Sequence, residues 1–163
     1  MARILGVDHI TFAVRDLERT LSFVEKVLGG KYLFEIRREE GRILAIYQIG
    51  DKIIAFATEP IEGKGFMAQF LRQRGEGLHH IALSVDDLDD FKQVMLANGI
   101  KIPHWELEGH QGILDEVLIG TRHAPTVLEI IGWKGSPPAS TEEWVARYRE
   151  YVGEELIRDR RDK

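Results

Sequence analysis

The sequence predicts an α+β fold made of two βαβββ modules, followed by a C-terminal helix. An internal repeat is the first observation: the segment from Asp8 to Leu17 (DHITFAVRDL) recurs 71 residues later as His79 to Leu88 (HHIALSVDDL). Each copy alternates apolar and polar residues and then reaches an Asp-Leu pair that opens a helical pattern, and glycine-punctuated apolar segments follow. The 163 residues suit one compact domain or two small halves that share a core. Because a repeat fixes the architecture, we expect both halves to have the same fold.

The first module, about residues 6–60, is predicted as strand, helix and three strands. The strands are expected over 7–14, 32–37, 42–49 and 52–58, with turns at Glu40-Gly41 and Gly50-Asp51. Asp16 is the expected N-cap of a helix over 17–28 that Gly29-Gly30 ends. The apolar face of this helix consists of Leu17, Leu21, Val24 and Leu28.

A connector over 61–77 leads to the second module, about residues 78–133. A short helix is expected over 66–74 in the connector, ended by Gly75. The second module repeats the scheme, with a strand over 79–85, a helix capped by Asp87, and strands near 100–106, 113–119 and 126–131. The complete domain therefore spans residues 1–133.

Residues 134–163 form a C-terminal extension outside the repeat. Ser140 and Glu143 have the spacing of a capping box, and aromatic residues at helical spacing follow from Trp144 to Tyr148. We expect this helix to pack on the body of the protein or on a partner subunit, or else to cover the site as a lid.

Composition excludes several classes of function. The net charge of −5, with acidic and basic residues interspersed, argues against a nucleic-acid surface. The absence of cysteine excludes disulfides, thiolate nucleophiles and thiolate metal sites. No run approaches the roughly 20 apolar residues of a membrane span, and no signal peptide is recognised. The sequence therefore predicts a cytoplasmic protein that binds neither nucleic acid nor membrane.

One histidine stands at the same position of the repeated strand in each half. Successive strand residues point to opposite faces, so His9 and His80 each lie opposite the face that packs under the helix of their module. Small residues accompany each histidine on this open face and leave room for a ligand. His79 points the other way and is predicted to be a packed residue.

Glu129 is the third residue of interest, because it interrupts an apolar strand. A carboxylate in such a run is costly to bury unless it is paired or bound to a cation. Two imidazoles and one carboxylate on a concave sheet are the donors of a two-His-one-carboxylate site. We therefore predict one divalent metal ion (Co, Ni, Zn, Mn or Fe) held by His9, His80 and Glu129.

These motifs resemble the vicinal oxygen chelate superfamily, whose members pair βαβββ modules into a sheet with a cup. Within it, residues 74–82 (RGEGLHHIA) and 85–88 (VDDL) are similar to methylmalonyl-CoA epimerases, as are residues 8–10 and 127–130. The resemblance implies metal ligation by His9, His80 and Glu129. It also implies a fourth ligand on the last strand of the first module, where this chain has Phe56 or, at the repeat offset, Thr58.

The resemblance further implies a metal-dependent lyase or isomerase of the glyoxalase and methylmalonyl-CoA epimerase type, acting on a small carbonyl compound or a CoA thioester. The resemblance also implies a glutamate base on the preceding strand, but the nearest residue in this chain is Ala45. The remaining sources of a catalytic base are Gln48 through water, a loop histidine, or Glu129 itself if it dissociates from the metal. The residues predicted to contact the small-molecule substrate are Tyr47, Gln48, Phe56, His104 and His123.

Two alternatives use the same fold. The three-ligand set also suits an Fe(II) extradiol-type dioxygenase, and a third possibility is a non-catalytic protein that sequesters a small molecule. A homodimer is expected in each case, because cups of this fold form between halves or subunits and the C-terminal helix is rich in aromatic residues.

Overall fold

The structure, a computed structural model, describes residues 2–102 and 112–158. It divides into two compact units. The first-module unit comprises His9–His79 and Val152–Lys163, and the second-module unit comprises Met1–Asp8 and His80–Tyr151. The units thus follow the two predicted modules except at the chain ends, since residues 2–8 belong with the second module and residues 152–158 with the first.

The first-module unit contains five strands and two helices: β1 (Ile4–Ala13, whose first residues belong to the other unit), α1 (Leu17–Lys26), β2 (Lys31–Arg37), β3 (Ile43–Ile49), β4 (Lys52–Thr58), α2 (Phe66–Arg74) and β8 (Ile157–Arg158). The strands form a sheet of order β1-β4-β3-β2-β8. Strand β1 is parallel to β4, while β4, β3, β2 and β8 pair in antiparallel fashion. The predicted β-α-β-β-β order of the first module is confirmed.

Helix α1 covers one face of this sheet. Asp16 is its N-cap, as predicted, and its Oδ1 accepts a hydrogen bond from the backbone N–H of Arg19 at 2.9 Å. The prediction for Leu28 is wrong: the helix ends at Lys26, and the Leu28 side chain is 49% exposed. The helix-side core consists of Val14, Leu17, Leu21, Val24, Ala45, Tyr47 and Phe56.

Helix α2 covers part of the opposite face, which carries His9. Its Met67 and Leu71 pack against Ala13 of β1 and Ala57 of β4. Ala13, one of the small residues expected to leave room for a ligand, therefore packs under a helix, and this end of the His9 face is not open.

A carboxylate caps α2. The buried side chain of Glu59 accepts hydrogen bonds from the backbone N–H groups of Gly65 at 2.9 Å and Ala68 at 3.3 Å. The first turn of a helix has unsatisfied N–H groups, and a carboxylate there also interacts favourably with the helix dipole. This contact fixes the connector against β4.

The second-module unit contains β5 (Gly77–Val85, of which the part from His80 onward belongs to this unit), α3 (Leu88–Ala97), β6 (Leu114–Ile119), β7 (Val127–Trp133) and α4 (Thr141–Val152). Its strands form a sheet of order β6-β7-β5-β1. Strands β5 and β7 are parallel, and β6 is antiparallel to β7. Residues 100–102 are not in a strand, and the rest of the strand predicted near 100–106 lies outside the described residues. The mixed sheet of each unit, together with its helices, confirms the α+β class.

The core of this unit repeats that of the first module. The Oδ1 of Asp87 accepts a hydrogen bond from the backbone N–H of Asp90 at 2.9 Å and so caps α3. The helix packs on the sheet through a cluster of Val85, Leu88, Met95, Ile102, Val117, Ile119 and Ile130.

Helix α4 begins at the predicted cap. Ser140 Oγ accepts from the backbone N–H of Glu143 at 3.2 Å, and Glu143 Oε2 accepts from the backbone N–H of Ala139 at 3.0 Å. The reciprocal bond of the capping box thus reaches one residue further back than expected. None of the described helices is both long and apolar enough to cross a membrane.

Candidate metal site

His80 and Glu129 are brought together in the second-module unit. In the parallel register of β5 and β7, His80 lies opposite Val127 and Ala82 opposite Glu129, so all four side chains point to one face of the sheet. His80 Nε2 and Glu129 Oε2 are 3.1 Å apart. Glu129 is only 8% exposed, which is the buried position that the sequence predicted for it.

His9 is buried in the first-module unit. It is 5% exposed and lies opposite Ile53 in the β1–β4 register, on the same face as Thr11. In the described part of the chain, the buried Oγ1 of Thr11 has no hydrogen-bond partner. An unsatisfied buried hydroxyl is unfavourable, so this face is suited to a polar ligand or an ordered water.

His9, His80 and Glu129 each offer one donor atom, and a His-His-Glu set of this kind could hold a metal ion. Two neutral imidazoles and a carboxylate are the donors that divalent Fe, Co, Ni, Zn and Mn accept in proteins. A bound cation would also compensate the negative charge of a carboxylate that the fold has removed from water. The residues present therefore fit a divalent metal ion.

The strand register corrects the predicted position of a fourth ligand. Glu129 lies opposite the residue two places after His80, and the equivalent position in the first module lies opposite Thr11, two places after His9. This position is Ala55, and neither Phe56 nor Thr58 shares its face. Alanine has no donor atom, so this position cannot supply a ligand.

Tyr47 and Phe56, both predicted to contact substrate, face α1. Tyr47 is fully buried, and its hydroxyl donates to Glu25 Oε1 at 2.6 Å. The rings of Tyr47 and Phe56 meet edge to face at 6.1 Å. The structure therefore places both residues in the helix-side core, on the opposite face of the sheet from His9.

Gln48 lies on the His9 face, because it pairs with Ile53, the register partner of His9. Its Nε2 donates to the backbone carbonyl of Gly50 at 3.1 Å. The base was expected near Ala45 on the same strand, but Ala45 points to α1. Its neighbour Ile46 pairs with Ala55 and therefore lies on the His9 face. Of the substrate contacts predicted in this unit, Gln48 therefore lies on the same face as His9, whereas Tyr47 and Phe56 do not.

The remaining histidines are distributed differently. His79 packs against the rings of Phe66 and Phe70 with centroid distances of 5.5 and 4.8 Å, as expected for a packed residue. His123 is exposed in the turn after β6. His104, predicted to contact substrate, lies outside the described residues.

A cluster around Asp8 was not predicted from the sequence. Asp8 Oδ2 accepts from Trp133 Nε1 at 2.6 Å and from Ser84 Oγ at 3.0 Å, and Oδ1 accepts from Trp144 Nε1 at 2.7 Å. Ser84 and Trp133 belong to the face that carries His80 and Glu129, so helix α4 lies across this face of its unit. In the sequence, the only indication of this cluster was the pair Trp133 and Trp144, because a buried indole N–H needs a hydrogen-bond acceptor.

Comparisons with known proteins agree with this fold. The family profile described as "Glyoxalase/Bleomycin resistance protein/Dioxygenase superfamily" matches residues 8–114. The uncharacterized protein YqjC of Bacillus subtilis (strain 168) is 33% identical over 90 residues, which are 55% of this chain and 64% of that relative's length.

Solved structures show the same architecture. The hypothetical protein BH1468 of Bacillus halodurans C-125 has a TM-score of 0.67 at 25% identity, covering 84% of this chain and 98% of that one. Methylmalonyl-CoA epimerase of Mycobacterium tuberculosis has a TM-score of 0.65 at 21% identity, covering 80% and 89%. A Streptomyces coelicolor methylmalonyl-CoA epimerase in complex with 2-nitronate-propionyl-CoA has a TM-score of 0.65 at 22% identity, covering 82% and 100%. Since the family profile matches more than half of its length, the chain belongs to the glyoxalase/bleomycin resistance protein/dioxygenase superfamily.

Proposed function

We propose that the protein is a divalent-metal-dependent lyase or isomerase of the glyoxalase and methylmalonyl-CoA epimerase type. His9, His80 and Glu129 are the proposed ligands of one cation, which is Co, Ni, Zn, Mn or Fe. The observation that carries the proposal is the buried pair of His80 Nε2 and Glu129 Oε2 at 3.1 Å. A small carbonyl compound or a CoA thioester is the proposed substrate, and the CoA ligand of the Streptomyces relative supports the second class.

The reaction proposed is removal and return of a proton on the carbon next to a carbonyl group. When bound, the cation acts as a Lewis acid toward the negative charge that develops on the carbonyl oxygen. Glu129 is both a ligand and the proposed catalytic acceptor of the proton, because it is the buried carboxylate of its sheet face. Gln48 is proposed to bind the substrate through its amide, and His104 and His123 stay predicted contacts.

Proton exchange tests this function directly. The protein is loaded with Co²⁺ and incubated with methylmalonyl-CoA or with small 2-oxo compounds in D₂O, and deuterium incorporation is followed by mass spectrometry. We expect incorporation by the loaded protein and none by protein treated with EDTA. Glu129→Gln should abolish incorporation and bound metal, whereas Glu116→Gln, a carboxylate on the adjacent strand, should retain both. Failure to bind any divalent cation would contradict the proposal.

One observation favours a second function, an Fe(II) extradiol-type dioxygenase. Ala55 at the fourth position leaves three protein ligands, a set that allows two oxygens of a catecholate and O₂ to bind. Anaerobic loading with Fe(II), followed by oxygen uptake with a series of catechols, distinguishes it from the isomerase. Protein that is purified without metal and retains a small molecule in the His80→Ala variant would instead support a non-catalytic binder.

A homodimer is part of the proposal. Three apolar side chains of β1, Ile4, Leu5 and Val7, are between 43% and 55% exposed and would be covered by a second copy. Light scattering after size-exclusion chromatography measures the mass of the particle. The cytoplasmic location stays a prediction.

A further inference from the structure

A cavity of about 530 Å³ lies in the first-module unit, between the start of α1 and the end of the connector. Its volume is within the range of about 300–1,000 Å³ that is usual for ligand sites. None of the proposed metal ligands lines it, so it would hold a different ligand. The lining residues are Arg15, Asp16, Arg19, Thr20, Phe23 and Glu76.

The cap and the first two turns of α1 form one wall of the cavity. Arg19, Thr20 and Phe23 follow Asp16 by three, four and seven residues, so they lie on one face of the helix. The backbone N–H of Arg19 donates to Asp16 Oδ1 at 2.9 Å, and the Thr20 hydroxyl donates to the backbone carbonyl of Asp16 at 2.8 Å. These bonds fix the wall, while the ring of Phe23 is 52% exposed.

Two hydrogen bonds hold Arg15 against the connector. Its backbone N–H donates to Glu76 Oε1 at 2.7 Å, and its Nη2 donates to the carbonyl of Leu71, in the last turn of α2, at 2.7 Å. Within the part of the chain that the structure describes, this guanidinium makes no other hydrogen bond and no ion pair. Since a guanidinium has five N–H donors, most of them stay available to a ligand.

The guanidinium of Arg19 is available as well. Among the described residues it makes neither a hydrogen bond nor an ion pair, although two carboxylates line the same cavity. Asp16 and Glu76 each accept from a backbone N–H instead. The planar fork of a guanidinium matches two oxygens of a phosphate or a carboxylate. Two such groups at one cavity therefore favour an anionic ligand.

The other lining residues narrow the class of this ligand. The exposed ring of Phe23 is a surface on which a planar ring can stack. Inorganic phosphate would use neither this ring nor the carboxylates, which would repel it. A nucleoside phosphate has a partner for each: its phosphate for the guanidinium groups, its base for Phe23, and its hydroxyl and amino groups for the second oxygens of Asp16 and Glu76. We propose that this cavity binds a nucleoside phosphate.

Free nucleotides and coenzyme A both carry this chemistry. The proposal concerns the part that they share, and it does not depend on the proposed metal function, because the two sites have no residue in common. Binding can therefore be measured in EDTA, where no probe can bind through a metal ion.

Isothermal titration calorimetry of the full chain in EDTA tests the site with ADP, CoA and inorganic phosphate as separate probes. We expect both nucleotides to bind, and phosphate to bind more weakly than either. Arg19→Gln should weaken ADP binding about 10-fold or more, because it removes hydrogen bonds between charged groups. Phe23→Ala should weaken it about 5-fold or more, because it removes the stacking surface for the base.

Arg122→Gln and Val27→Ala are the matched controls. Each replaces an exposed residue of similar kind outside the cavity and should leave the Kd for ADP unchanged. Binding of CoA but not of ADP, weakened in Arg19→Gln, would support the proposal and assign the cavity to the nucleotide of CoA. Binding of neither nucleotide, equal affinity for phosphate and ADP, or unchanged nucleotide binding in both Arg19→Gln and Phe23→Ala would overturn it.

Discussion

At the scale of single residues, Asp8 and His9 show how neighbouring positions of one strand have different tasks. Asp8 binds two indole N–H groups and one hydroxyl through its carboxylate oxygens. His9 follows it immediately and is one of the proposed metal ligands. Hydrogen bonds to an ionised acceptor are about twice as strong as neutral ones, so Asp8 makes a large contribution to the attachment of α4.

Asp8→Asn should destabilise the protein. The amide retains one acceptor oxygen and places an NH₂ donor toward groups that are themselves donors, so at least one charge-assisted bond is lost. We expect a decrease of about 1.5–3 kcal/mol in the free energy of unfolding, measured by urea denaturation. Asp51→Asn is the control, because Asp51 is exposed and pairs with the neighbouring Lys52. An equal effect of both substitutions would contradict the assigned role of Asp8.

The repeat in the sequence located the two histidines, but the sequence did not locate the position of the fourth ligand correctly. The offset of 71 residues identified His9 and His80, and the isolated charge in an apolar strand identified Glu129. The fourth position was assigned to Phe56 or Thr58, whereas the register gives Ala55. A displacement by one residue moves a side chain to the other face of a sheet, and the continuous apolar run of residues 53–57 has no alternation that would reveal it.

At the scale of elements, the helices that follow the repeated strands have equivalent starts. Asp16 caps α1 and Asp87 caps α3, each by accepting from the backbone N–H three residues later at 2.9 Å. Helix starts are well predicted because the signal is local, a carboxylate before an apolar periodic segment. By contrast, β8 is only two residues long and depends on pairing with β2, so it has no local signal.

Asp16→Ala and Asp87→Ala should each cost about 1 kcal/mol, because each removes the acceptor of one backbone N–H at a helix start. The double variant should lose the sum, since the caps belong to separate cores. Urea denaturation of the three variants measures these values. Asp89→Ala is the control: it lies in the first turn of α3 but accepts no capping bond among the described contacts. A cost for Asp89→Ala equal to that of Asp87→Ala would argue against the assigned cap.

At the scale of the whole molecule, the repeat predicted the two βαβββ modules but not the bounds of the two compact units into which the folded chain divides. Residues 2–8 join the second module, and residues 152–158 join the first. The placement of these two chain ends depends on contacts between residues that are distant in sequence, such as Arg3 with Asp86 and Tyr32 with Arg158. Neither contact changes the hydrophobic periodicity from which modules are recognised, so the sequence could not reveal them.

The stability of the whole molecule should fall at alkaline pH because of Tyr148. Its pKa is raised in the folded protein by burial and by the neighbouring carboxylates, whereas in the unfolded chain it returns to about 10. Below about pH 10 the phenol is protonated in both states and its contribution to stability is complete. Above this pH the unfolded chain releases the proton first, so the free energy of unfolding decreases with rising pH until the folded phenol titrates as well.

Other groups also titrate in this range, and therefore the informative quantity is the difference between variants. Urea denaturation at about pH 8 and about pH 11 should show a larger loss of stability in the unaltered chain than in Tyr148→Phe, which cannot ionise at this position. Tyr32→Phe should keep the part of the loss that Tyr148 causes, since Tyr148 is still present. Equal losses in all three proteins would contradict the raised pKa of Tyr148 and the influence of Glu129, Glu116 and Asp8 on its phenol.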